Sequence, residues 1–163
     1  MKKFKFFILL SACAILSTIT VLSQKRDFSG SWKIDALKST MPDYLTLARI
    51  NIEIKGDSLL TERVYQGGDG QEYAFHENIT PDGKLSSIII YDMPRKSKAI
   101  WSEQDGSLLL ESTTTFNGQY GPEDLISRET WKIDKDNNTL IINFKNKMSS
   151  GEFEGVLVFN KVK

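Results

Sequence analysis

Ala48-Arg49-Ile50-Asn51-Ile52-Glu53-Ile54-Lys55 is the stretch on which the fold turns. Apolar and polar residues alternate with period two. An extended chain therefore puts Ala48, Ile50, Ile52 and Ile54 on one face and Arg49, Asn51, Glu53 and Lys55 on the other. A strand with one face on a core and one in water needs that division. Gly56-Asp57 closes the run as a tight turn, and residues 58–65 return as the next strand, with mixed faces.

The same alternation recurs on both sides of this hairpin. Extended runs are expected at residues 28–34, 72–79, 85–91, 97–103, 108–116, 125–134, 139–146 and 152–162. Turn signals separate them: Gly67-Gly68-Asp69-Gly70, Pro81-Asp82-Gly83, Asp105-Gly106, a polar loop over 117–124, and Lys135-Asp136-Asn137-Asn138. Pro42 limits residues 35–43 to a single helical turn. Links this short make neighbouring strands antiparallel, because a parallel crossover needs a dozen residues or more. A long meander must also hide its edges, and closure does so. The expected fold is all-β: a single antiparallel up-and-down β-barrel of roughly eight to ten strands, with a two-sheet β-sandwich as the alternative.

Composition narrows the function classes. The 163 residues hold 21 Lys and Arg against 21 Asp and Glu, which leaves no electrostatic footprint for nucleic acid. One Cys and one His exclude a disulfide framework and a His-rich zinc site. Residues 1–23 read as a signal peptide: Lys2, Lys3 and Lys5, then an apolar run from Phe6 to Leu22, then Val21-Leu22-Ser23 as a cleavage site. Leu10-Ser11-Ala12-Cys13 resembles a lipobox, so lipidation at Cys13 is the alternative route of export. Cleavage after Ser23 leaves residues 24–163 as the barrel domain, with 18 basic against 21 acidic residues and no Cys. The domain is expected to be periplasmic or secreted, monomeric, and without membrane attachment beyond targeting.

Trp32 is the expected structural anchor. Burying its side chain removes ~150–250 Å² from water, worth about 4–6 kcal/mol as an upper bound. Gly30, two residues earlier on the same face, leaves room beside the indole. Ser31-Trp32-Lys33-Ile34-Asp35 is echoed by Thr130-Trp131-Lys132-Ile133-Asp134, as hairpins reusing one aromatic-and-turn solution would be.

Alternation also selects an interior lining. Tyr73, Phe75, Tyr91, Trp101 and Phe116 supply an aromatic wall, and Ser112 and Thr114 supply hydroxyls to orient a ligand. Glu77 shares the face of Tyr73, Phe75 and Ile79. A carboxylate there must be paired or neutral unless the strand ends and it reaches water, and Arg63 or Arg128 could serve as partner. His76 falls on the opposite, solvent-facing side. No nucleophile elbow, phosphate loop or metal-ligand spacing is present, so no catalytic residue, metal or cofactor is assigned.

Phe28-x-Gly30-x-Trp32 opening an all-β exported domain resembles the Gly-x-Trp start of the lipocalins. Lys38-Ser39 and the two Trp–turn–strand units over 101–114 and 129–142 are similar to those of secreted bacterial lipocalin-like proteins. The resemblance implies a barrel with an internal cup for a small apolar or amphipathic molecule, without catalysis. It also implies a Trp at the closed end beneath an Arg from a late strand. Here the last Arg is Arg128, and Lys161 is the cation available in the final strand. Two other readings remain at this point: an interaction or inhibitor module with a filled barrel, and an enzyme using Glu77 with an Arg.

Overall fold

The computed structural model describes residues 27–40, 45–119, 121–134 and 136–163. The segment read as a signal peptide, including Cys13, lies outside them. Ten strands follow one another: β1 (Gly30–Ile34), β2 (Leu45–Lys55), β3 (Ser58–Gly67), β4 (Glu72–Ile79), β5 (Asp82–Ile90), β6 (Met93–Trp101), β7 (Leu108–Gly118), β8 (Gly121–Ile133), β9 (Thr139–Met148) and β10 (Gly151–Lys161). Among the described residues, a 3-10 turn over Ala36–Lys38 lies between β1 and β2.

Every ladder is antiparallel and joins strands adjacent in the chain, except that β1 also pairs with β10. That pairing bends the meander into a nearly closed barrel, so the sandwich alternative is excluded. The one break falls between β4 and β5, which are consecutive in the chain yet share no ladder.

Three local expectations are corrected. The register shifts between Leu47 and Arg49, so Ala48 is the extra residue of a bulge. Leu47 and Ile50 consequently both point inward, and Ile54, near the end of the strand, is half exposed. The stretch over 117–124, expected as a polar loop, instead belongs largely to β7 and β8, with Asn117 opposite Pro122 and Gly118 opposite Gly121. The residues 85–91 were expected to end as a strand at Tyr91, but Ile90 pairs with Met93. Tyr91 and Asp92 therefore form a two-residue turn at φ 47° and 65°, a handedness that suits the twist of the flanking strands.

One end of the barrel is filled. Phe28, Trp32, Ile50, Leu108, Trp131, Leu140 and Phe159 are fully buried there, with Leu110, Ile133 and Ile142 beside them. Phe28 packs its ring 5.6 Å from Trp101 and 6.4 Å from Trp131. The Trp32 indole Nε1 donates to the Phe28 carbonyl at 2.9 Å, which satisfies its polar edge inside the plug.

Lys161 of β10 lies opposite Trp32 in the ladder and carries its ammonium 5.1 Å from the indole centroid. Lysine thus takes the place in which the lipocalin resemblance puts an arginine. Gly30 makes the approach feasible: a Cβ there would stand 2.7 Å from Lys161 Cε. Gly30 also holds φ at +128°, a conformation that L side chains rarely adopt. Gly30→Ala is expected to cost about 1–3 kcal/mol, mostly backbone strain, and to displace the ammonium from the indole. Gly68→Ala is the control, because nothing lies within 4 Å of its Cβ position. Urea unfolding of the two variants should differ in midpoint, and equal midpoints would remove the role given to Gly30.

Candidate functional site

Above the plug the interior turns polar. Thr61, Arg63, Glu77, Arg95, Ser97, Ser112 and Ser127 are all buried. Strand parity aims them inward, on the same faces that carry Leu110, Ile79 and Ala99 at the plug end.

Two ion pairs cross this region, and both join strands that are not ladder neighbours. Arg95 of β6 donates from Nε and Nη2 to Oε1 and Oε2 of Glu77 on β4, at 3.2 and 3.3 Å, and from Nη1 to Thr114 Oγ1 at 3.1 Å. This pair spans the break between β4 and β5. The Tyr91 hydroxyl spans it too, donating to the Ala74 carbonyl of β4 at 2.5 Å. Side chains thus hold together two edges that the backbone leaves apart.

Arg63 of β3 is 2% exposed and donates from Nη1 to Glu129 Oε1 of β8 at 2.9 Å. Its guanidinium stands 4.9 Å from the Trp131 ring centroid and 5.8 Å from that of Phe75. Glu129 Oε2 accepts from Trp131 Nε1 at 2.6 Å. Burial pushes the Glu129 carboxyl up, but the Arg63 guanidinium more than offsets it, so Glu129 sits below the usual carboxylate range and stays ionised. Burial likewise resists the Arg63 charge, and Glu129 overcomes that, raising its pKa further. Burial raises Tyr65 above the ordinary phenol value.

Two adjoining cavities open beside these pairs. One, about 430 Å³, is lined by Tyr65, Tyr73, Phe75, Tyr91, Arg95 and Thr114, among others. The other, about 230 Å³, is lined by Arg63, Tyr65, Arg95, Ser127, Glu129 and Asn146 with apolar neighbours. Tyr65, Arg95 and Leu125 border both. Tyr65 and Phe75 stack at 5.8 Å, forming a flat aromatic wall. A larger hollow of about 660 Å³ is an open groove over the outer face of β1–β4. There Ser31 Oγ donates to Asn51 Oδ1 at 2.5 Å and Asn51 Nδ2 to Glu62 Oε2 at 2.6 Å, so those groups satisfy one another. His76 stands on this outer face.

Of the residues selected from the sequence, Tyr73, Phe75, Tyr91 and Thr114 line the larger cavity. Tyr73 and Tyr91 are exposed at its mouth. Glu77 is buried and paired with Arg95, not with Arg63 or Arg128, and it does not reach water. Ser112 is buried, but it borders neither cavity. Trp101 packs on Phe28 in the plug and so belongs to the closed end. Phe116 is half-buried and lies outside both linings. Arg128 is corrected outright. Its side chain is 71% exposed and pairs with Glu111, because Ser127, Glu129 and Trp131 take the inward positions of β8.

Sequence reasoning did not single out Arg95, Tyr65, Glu129 or Asn146. Parity with Ser97 and Trp131 would have placed Arg95 and Glu129 inside. Nothing local could have paired them across the barrel.

No family model matches the chain, and no curated protein matches it. Among solved structures it is similar to the zebrafish ileal bile acid-binding protein complexed with cholic acid. The two share 14% identity and a TM-score of 0.48, over 83% of this chain and 98% of that one. The reading of the site therefore rests on its own geometry.

Proposed function

We propose that this chain is an exported, non-catalytic barrel that takes a small amphipathic molecule into the cup above the Trp32 plug. The observation that carries the reading is the pair of adjoining cavities, walled by Tyr65 and Phe75 and floored by charged and hydroxyl groups. A volume of about 430 Å³ falls in the range of small-molecule pockets, roughly 300–1,000 Å³. The non-catalytic reading is supported by Glu77, which is buried and has both carboxylate oxygens tied to Arg95 as a structural link between β4 and β6. Residues 1–23 motivate export, to the periplasm or beyond.

Nile red fluorescence with the domain spanning residues 24–163 tests the cup. The dye should bind, and Leu125→Trp, which places an indole at the border of both cavities, should weaken binding by about tenfold or more. Thermal unfolding of the variant checks that the barrel persists. A wild-type domain that leaves the dye in water would sink the proposal and favour an interaction module. Mass spectrometry of the domain purified from native periplasm should show a co-purified lipophilic molecule.

A further inference from the structure

The Arg63 guanidinium is incompletely used. Nη1 reaches Glu129, but Nε and Nη2 have no hydrogen-bond partner among the described residues although the side chain is buried. The Tyr65 hydroxyl lies near this guanidinium, yet no hydrogen bond of normal geometry reaches either nitrogen. Nε and Nη2 form one edge of the guanidinium plane, a two-pronged donor; Arg95 uses the same edge to hold both oxygens of Glu77. Leaving such donors unmet in a low-dielectric interior is unfavourable, and a ligand that meets them removes that cost.

A second polar feature lies in the same region. Register places Ser97 opposite Ser112, Ser112 opposite Ser127, and Ser127 opposite Asn146, so four small polar side chains form a row across β6–β9. Of these, Asn146 Oδ1 is buried and has no partner among the described residues, and Asn146 borders the cavity of about 230 Å³ with Arg63. An amide offers a donor and an acceptor, whichever way it is turned. Unmet donors and an unmet amide therefore border one cavity.

The charges around that cavity are already balanced. Arg63 pairs with Glu129 and Arg95 with Glu77, and the other ionisable side chains lining either cavity are tyrosines. An ionised carboxylate on the free edge of Arg63 would stand beside Glu129 and leave one excess negative charge in the interior. A buried uncompensated charge is far costlier than a buried neutral group with its hydrogen bonds made.

Resting on the cup reading above, we infer that the ligand carries an uncharged head that both accepts and donates hydrogen bonds, of the carboxamide kind, seated between Arg63 and Asn146. An ionised carboxylate is selected against.

Three probes with one chain and different heads test this: decanamide, sodium decanoate and decylammonium chloride, titrated calorimetrically into the domain near neutral pH. Decanamide should bind about tenfold or more tighter than decanoate, with decylammonium weakest. In Glu129→Gln the cluster carries one net positive charge, and decanoate should gain about tenfold relative to decanamide. Decanoate binding as tightly as decanamide to the wild type overturns the inference, as does an unchanged ratio in a folded Glu129→Gln. If that variant does not fold, the wild-type ranking decides alone. Failure of all three probes to bind overturns the cup itself, whereas a win for decanoate removes the head-group preference and leaves the cup standing.

Discussion

Replacing Glu129 with leucine is expected to destabilise the barrel by about 3–5 kcal/mol, the usual cost of stripping one partner from a buried ion pair. The carboxylate takes a hydrogen bond from Arg63 Nη1 at 2.9 Å and one from Trp131 Nε1 at 2.6 Å. Leucine removes both acceptors and leaves a guanidinium 2% exposed with no counter-charge at its side. Against the roughly 5–15 kcal/mol that holds a domain of this size together, this is a large share. Arg63→Met added to Glu129→Leu should recover most of the loss, because apolar groups of similar volume carry no desolvation penalty. Urea unfolding of the two singles and the double gives the coupling directly. A single-variant loss below about 1 kcal/mol would show that the pair is not buried as described.

The same pair sets a pH dependence. The Glu129 carboxyl lies below its ordinary value in the folded barrel, whereas the unfolded chain titrates near 4.3. A depressed folded value contributes stability above the unfolded value, and that contribution is lost as pH falls through the folded one. Wild-type stability should therefore fall more steeply below about pH 4 than that of the Arg63→Met/Glu129→Leu double variant, which has nothing to protonate at this place. Parallel acid limbs would contradict the assignment.

Trp32→Ala is the second large effect, expected at about 3–5 kcal/mol and a fall in melting temperature of roughly 10 °C or more. The indole is fully buried beneath Lys161, and its Nε1 closes the Phe28 carbonyl. Alanine leaves a cavity in the plug, frees that carbonyl and leaves the lysine above empty space. Dye binding, scored on the fraction still folded, should survive, because neither cavity touches Trp32. Loss of binding in fully folded Trp32→Ala would place the cup lower in the barrel than the cavities do.

The faces of most strands were legible from alternation alone. Leu108 and Leu110 at the plug, Ser112 and Thr114 above them, and the Tyr73-Phe75-Glu77-Ile79 series all point inward as period two requires. Legibility failed where one residue changes the count. The bulge at Ala48 lets Leu47 and Ile50 face the same way, and nothing in that run marks it. Arg128 has the opposite parity to Trp131, so the buried indole puts it on the outer face of β8. Tyr91 could not be assigned a lining role from a strand face, because it is a turn residue, and it reaches the cavity through its position at the break between β4 and β5.

Sequence alone determined the all-β class, the up-and-down order and the role of Trp32 as an anchor. Each of these rests on interactions between near neighbours along the chain: alternation, turn chemistry and short links. Only the tertiary structure decided that Lys161 covers Trp32, that Arg95 holds Glu77 across an unpaired gap, and that Arg63 meets Glu129 across the interior with one edge to spare. Those partners stand 18 to 129 residues apart, and the curvature that closes β1 on β10 sets which inward side chains face each other. Curvature accumulates from twist over ten strands, and no single stretch of the chain encodes it.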